Sequence, residues 1–236
     1  MKLRPLRPTL LACRQIDDVD AALGRALVGE RFDAARHRCL GLVTCDQDDS
    51  TYIALDEATK HAAVDVVFGR SFYAGAAHGS GPLSGEVMGV VAGETPDDVA
   101  EALWVIKEHL ATGVCFHTFA DRPAEGHGAS SAFLAHVIGE TGSYLAGAAG
   151  VDVGAPIAYL IAPPIEAAIA VDAALKAAPV RLLQFLPPPS ETNYAGAYLG
   201  GGLGDLEAAR DAFVAAIHDV VSRPLASARR PDRLRR

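Results

Sequence analysis

The sequence has no long apolar run, few aromatic residues and no excess of positive charge, and each shortage closes off a class of function. Only 6% of its 236 residues are aromatic, with a single tryptophan. The longest uncharged stretch near the middle, residues 153–165, is 13 residues long and holds three prolines. A membrane-spanning helix needs about 20 apolar residues, so no membrane partner is expected. Acids outnumber bases by 29 to 21, for a formal net charge of −8. That balance argues against a general nucleic-acid binder, which must neutralise phosphates with clustered Lys and Arg. It is compatible with cationic metabolites but mostly reports solubility. The four cysteines, Cys13, Cys39, Cys45 and Cys115, form no C-x-x-C pair, so no structural zinc is indicated. Leu10-Leu11-Ala12-Cys13 looks like a lipoprotein cleavage box, yet Arg4, Pro5, Arg7 and Pro8 interrupt the apolar run such a signal requires. A cytoplasmic chain with reduced thiols is the expectation.

Catalytic spacings are missing too. The eight histidines include no H-E-x-x-H; His61, His109 and His218 fall on expected helices as surface or packing residues, and His78 sits on a glycine-rich loop. Gly81-Pro82-Leu83-Ser84-Gly85 has the wrong spacing for a nucleophile elbow. Gly200-Gly201-Gly202-Leu203-Gly204 lies between an expected strand and helix, where phosphate loops lie, but lacks the Lys-Ser/Thr of a P-loop. Close packing is the simpler account of it. Asp46, Asp48, Ser50 and Glu57 fall at positions 1, 3, 5 and 12 of a calcium loop, but position 6 is Thr51 where a glycine is needed. Residues 52–55 also read as a strand, which such a loop cannot hold. No metal, no cofactor and no catalytic constellation is expected.

What is present is an α/β (α+β) pattern with 50% hydrophobic residues, enough for one large domain or two of about 100 residues. The chain is organised around residues 46–87: a strand over 52–55, a short helix, a strand over 64–73, a loop rich in small residues over 74–84 (AGAAHGSGPLS), then another strand. Such a loop leaves a rigid strand without a core of its own, which points to use outside the fold. Before this stretch come a basic, proline-broken lead-in over 1–8, a strand over 9–16, a helix over 18–28 and a strand over 39–45. After it, residues 85–92 read as a strand. Thr95, Pro96 and Asp98 then open a helix with a capping box, and Val99, Leu103, Ile106 and Leu110 form its stripe.

The plan then repeats. Residues 113–121 answer 9–17, 131–140 answer the first helix, and 158–162 answer the strand over 52–55. Pro164 opens the counterpart of the helix after Asp56. Residues 180–186 answer 64–73, 196–202 answer 85–91, and Asp205 caps a last helix with Leu206, Ala209, Phe213, Ile217 and Val220 as its stripe. The second unusual loop, PPPSETNY over 187–194, stands where the first one stood. Its prolines argue for a loop held in one or two conformations rather than for Glu191 and Asn193 as a reacting pair. Weak identity but shared order and loop position predict two similar domains, 1–112 and 113–236. From about residue 227 the chain is a basic tail, with Arg229, Arg230, Arg233, Arg235 and Arg236, read as a solvated end.

Several runs carry a likeness: TYIALDEATK, VVFGRSFYAGAAHG and SGEV, then AFLAHV, TGSYL, AYLIAPP and PPPSETNYAGAYL. Through them the chain resembles the ethanolamine-utilisation microcompartment shell proteins of the EutL type, over nearly its whole length apart from the tails. The resemblance implies tandem, circularly permuted microcompartment domains in a homotrimer that packs with other shell proteins in a hexagonal layer. It implies a gated central pore lined by two loops. The first is Ala74, Gly75, Ala76, Ala77, His78, Gly79, Ser80 and Gly81; the second is Pro187, Pro188, Pro189, Ser190, Glu191, Thr192 and Asn193. It also implies a site for a small amine metabolite such as ethanolamine, at positions matching Asp48, Glu86 and Phe116. The competing reading is a small cytoplasmic enzyme of duplicated α/β fold, with Asp48, Glu86 and His78 at the domain junction.

Overall fold

The computed structural model describes residues 2–72, 85–120, 131–188 and 194–224. Two short strands, β1 (Leu3–Leu6) and β6 (Phe116–Phe119), pair with each other, and the remaining eight form two four-stranded antiparallel sheets. The first sheet holds β2 (Leu10–Ile16), β3 (Cys39–Cys45), β4 (Val64–Ser71) and β5 (Val87–Gly93) in the order β2-β3-β5-β4. The second holds β7 (Leu134–Ile138), β8 (Ile157–Ala162), β9 (Arg181–Leu186) and β10 (Ala195–Gly200) in the order β7-β8-β10-β9. The two orders are the same, so the two halves repeat one topology.

Each sheet is covered on both faces. One face of the first packs on α2 (Asp48–His61) and α3 (Pro96–Thr112) through Val43, Leu55, Val91 and Ile106. Its other face meets α1 (Ala21–Val28) through Leu40, Val67, Val90 and Phe32. The second sheet packs one face on α5 (Pro164–Ala177) and α6 (Leu203–Ser222), around Leu160, Ala170, Leu199 and Phe213. Its remaining face takes α4 (Ser143–Ala149) together with Ile53 from α2, in a cluster with Leu134, Leu145, Ile157 and Tyr159. That last cluster is where the halves are joined, since a core residue of one half is buried against the sheet of the other.

Local signals explain most boundaries. Thr95 Oγ1 accepts from the Asp98 N–H at 3.2 Å and Pro96 occupies the first turn of α3, as the capping pattern requires. Asp20 caps α1, which starts at Ala21 rather than residue 18. Leu206, Ala209, Phe213 and Ile217 are the buried stripe of α6, with Asp205 in its first turn and Gly202 at the cap.

Four sequence expectations are corrected. Residues 52–55 are a turn of α2, not a strand: Thr51, Ala54, Leu55 and Ala58 are buried at helical spacing. Asp48 and Asp49 in the first turn, with Lys60 and His61 in the last, also match the helix macrodipole. The argument that a strand forbids a calcium loop therefore falls; helix α2 itself begins at Asp48. Residues 131–140 contain strand β7 rather than a helix, because Leu134 and Ile138 face one core while Ala135 and Val137 face the other. The lead-in forms β1, with Leu3 opposite Phe119 and Leu6 opposite Phe116. Pro5 is accommodated because this ribbon is an edge. Residues 113–121 consequently pair with the N-terminus instead of answering 9–17; β7 answers β2, β8 answers β3 and α5 answers α2. β9 answers β4 and β10 answers β5 in strand order, with β5 at Val87–Gly93 and β10 at Ala195–Gly200 rather than 85–91 and 196–202.

Candidate binding site at the junction of the halves

The turn between β3 and α2 is tied on several sides. Asp46 Oδ1 accepts from the Thr9 N–H at 2.6 Å, and Gln47 Nε2 donates to the Leu6 carbonyl at 2.7 Å. Ser50 Oγ donates to Gln47 Oε1 at 2.8 Å and Thr51 Oγ1 to the Gln47 carbonyl at 2.6 Å. This holds Asp48 and Asp49 at the positive end of α2, where they are 7% and 5% exposed.

Both line a cavity of about 250 Å³ between the halves, together with Gly69 of β4, Tyr144 of α4, Tyr159 of β8 and Tyr198 of β10. Tyr159 donates a short hydrogen bond to Asp49 Oδ1. Burial first, then the Asp49 charge, push the Tyr159 phenol well above its ordinary range. Tyr198 packs on it with ring centroids 4.6 Å apart and is also raised, chiefly by burial. Both phenols thus stay protonated, and as neutral donors they can stabilise a buried carboxylate.

The three residues expected to hold an amine have separate addresses. Asp48 lines the cavity, and neither Glu86 nor Phe116 does. Half-buried Glu86 precedes β5; its N–H donates to the Cys45 carbonyl at 2.7 Å and its carbonyl accepts from the Phe72 N–H at 2.6 Å. Phe116 is buried in β6 opposite Leu6, and its ring meets Tyr194 edge-on at 5.6 Å. Tyr194 is raised by burial and then by the charge of Asp48. All three therefore border the turn at 45–48: Asp48 within it, Glu86 through Cys45, and Phe116 through Leu6 and Gln47.

Sequence reasoning missed Asp49, Tyr159 and Asp56. Fully buried Asp56 accepts from the Gly142 N–H at 2.7 Å and the Leu145 N–H at 2.8 Å, fastening α2 to the start of α4. The doubled acid Asp48-Asp49 at a helix start was its one visible signal; the partners are over 80 residues away. Of the expected pore residues, Pro187 and Pro188 follow β9, while Ala74 to Gly81, with His78, and Pro189 to Asn193 lie outside the described residues. Among the described residues no group of three or more His, Cys, Asp or Glu could hold a metal, and no helix is long and apolar enough to cross a membrane. The glycines at 200 and 201 are close-packed: a Cβ would meet Leu183 at 3.0 Å and Val180 at 3.1 Å.

No family model matches the sequence. The bacterial microcompartment shell protein EutL of Escherichia coli (strain K12) is 45% identical over 221 residues, covering 93% of this chain and 96% of that one. The crystal structure of EutL from Clostridium perfringens has a TM-score of 0.86 at 44% identity, over 96% of this chain and 99% of that chain. At the level of fold alone, the trimeric microcompartment shell protein PduB has a TM-score of 0.71 at 17% identity, over 90% of this chain and 89% of that chain.

Proposed function

The chain belongs to the EutL family of bacterial microcompartment shell proteins, and from that premise we propose that three copies close into a ring around a gated central pore. The protein is a structural component of the shell and works as an assembly with other shell subunits. The observation that carries the proposal is the repeated strand order, β2-β3-β5-β4 and β7-β8-β10-β9. With residues 1–112 and 113–236 as two domains, three chains supply six similar units, and closure about an axis leaves no unsatisfied end. Such rings then tile with other shell proteins in a hexagonal layer.

In each half the unusual loop joins the third strand to the fourth: residues 74–84 lie between β4 and β5, and 187–193 between β9 and β10. Equivalent positions in similar units meet near the axis, where these loops line the pore. Gly75, Gly79 and Gly81 permit backbone angles closed to other residues, so gating is assigned to the first loop rather than to the proline-rich second one. Replacing Gly79 and Gly81 by Pro restricts passage or locks one pore state without unfolding the sheet. Mutant crystals that still sample every wild-type loop conformation contradict this.

The molecule that the subunit itself holds is a small amine at Asp48, Glu86 and Phe116. A protonated amine needs carboxylates plus an acceptor to offset its desolvation, and the turn at 45–48 supports that reading because all three residues border it. Relatives named as shell proteins favour a structural role over the reading of an enzyme with Asp48, Glu86 and His78 as its site. Calorimetry with ethanolamine on wild type, Asp48→Ala and Glu86→Gln tests the amine site. Heat from wild type that disappears in both variants supports it, and equal heats from all three remove it.

A further inference from the structure

We propose that the arginine-rich segment of this chain over residues 225–236 docks on the exposed face of α3 around Trp104. The contact goes beyond the ring and pore read above and does not depend on them.

Helices α3 and α6 solve one packing problem twice. Val99, Ala102, Ile106 and Leu110 are buried on α3, and Leu206, Ala209, Phe213 and Ile217 are buried on α6 at the same spacing. Set in that register, the helices agree on the face they bury and differ on the face they expose. Trp104 corresponds to Asp211, while Asp97, Glu101 and Glu108 correspond to Gly204, Ala208 and Ala215. All eight positions are exposed. An indole and three acids thus stand together on one helix and are all missing from its counterpart, which covers its sheet as completely. Packing needs none of the four.

Their arrangement suits a guanidinium. Trp104 is the single tryptophan of the chain and is 62% exposed. At 3.6 residues per turn, Asp97, Glu101 and Glu108 lie along one flank of it, and Ala100 and Ala111 border the other, too short to cover the ring. Lys107, beyond the alanines, is the one base on this face. Among the described residues no ion pair involves any of the three acids. An arginine can stack its planar head on the indole while its fork of N–H groups donates to a carboxylate one turn away. An apolar partner would leave those carboxylates uncompensated, and a nucleic acid or an anionic lipid surface would be repelled by them.

The chain carries such an occupant itself. Residues 225–236 hold Arg229, Arg230, Arg233, Arg235 and Arg236 against one acid, Asp232, whereas residues 1–224 hold 28 acids and 16 bases. The place where the described structure stops fits as well. His218, near the end of α6, meets Phe119 of β6 with ring centroids 4.9 Å apart, and β6 follows α3 after a short link. Trp104 lies about 12 Å along α3 from Thr112, and residues 225–236 can span about 40 Å when extended, which is enough to reach it. The contact is held by charge at the surface, so salt releases it.

Because no other tryptophan is present, the fluorescence of Trp104 reports this face alone. Emission and acrylamide quenching are compared for three full-length proteins, with circular dichroism and light scattering reporting fold and assembly. They are wild type, a variant with Arg229→Gln, Arg230→Gln, Arg233→Gln, Arg235→Gln and Arg236→Gln, and the double variant Glu101→Gln/Glu108→Gln. At low salt both variants should emit further to the red than wild type and be quenched about twofold more strongly. In 1 M salt, where the screening length is about 3 Å, wild type should reach the level of the variants while they stay unchanged. Equal quenching of wild type and the five-arginine variant at low salt overturns the docking, whether the indole proves open in both or is shielded in both by a second copy. A change in the five-arginine variant that the double variant does not reproduce overturns the acidic flank of Trp104 as the place where the arginines bind.

Discussion

Asp56 shows how one side chain can hold two halves together. Its two oxygens take the first N–H groups of α4, 86 and 89 positions away in sequence, at a site shut off from water. Removing it leaves two buried donors unmet in addition to the lost cap. Asp56→Ala is expected to cost about 2–4 kcal/mol of unfolding free energy, read from urea denaturation; a loss under about 1 kcal/mol means water or a neighbour replaces it. His136 on β7 gives a second residue-scale outcome. Burial, with His109 and Lys60 near it, lowers its pKa to about 4, and Arg210 adds to this while Glu57 opposes it. His109 is lowered too, first by burial, and its Nε2 is buried without a hydrogen-bond partner. The folded state therefore resists protons that the unfolded chain takes up below its ordinary histidine pKa of about 6.5, so this contribution to stability is full above about 7 and is lost as the pH falls toward 4. Denaturation midpoints for wild type should fall more steeply over that window than for His136→Gln; parallel curves would remove the histidine from the account.

At the scale of elements, legibility followed how local the deciding contacts are. Strand β3 and helix α3 were readable to within a residue or two, because an apolar run between polar ends and the Thr95-Pro96 cap are written in adjacent positions. The start of α2 was not, because Tyr52 and Ile53 favour strands by composition while their burial against another half favours the helix. Strand β7 was hidden for the opposite reason: its alternation is only five residues long and its small residues suit a helix equally well. Of the residues that line the cavity, Asp48 alone was singled out from the sequence. Asp48, Glu86 and Phe116 came from likeness of sequence, whereas Asp49 with Tyr159 and Asp56 with α4 are pairings across about a hundred residues that spacing cannot reveal. An element-scale test follows from Gly85, which enters β5 beside Glu86. A Cβ there collides with Thr44 Oγ1 and with the Cys45 carbonyl. If the proposed amine site holds, Gly85→Ala should shift Glu86 away from the turn at 45–48 and lower the heat of ethanolamine binding several-fold at unchanged oligomeric mass, and undiminished heat would show that Glu86 is not positioned by this contact.

For the whole molecule, the account turns on duplication. One topology is used twice in the chain, and the proposed ring of three is a closed form that six such similar units can take. On that proposal, self-association is intrinsic to the chain and needs no other partner or ligand, in contrast to a monomeric fold with a pocket. Native mass measurement on the purified wild-type chain, across a wide concentration range, tests this most directly. The account predicts a species of three times the 24.6 kDa chain mass that persists on dilution, and a protein that stays at the mass of one chain throughout would contradict it.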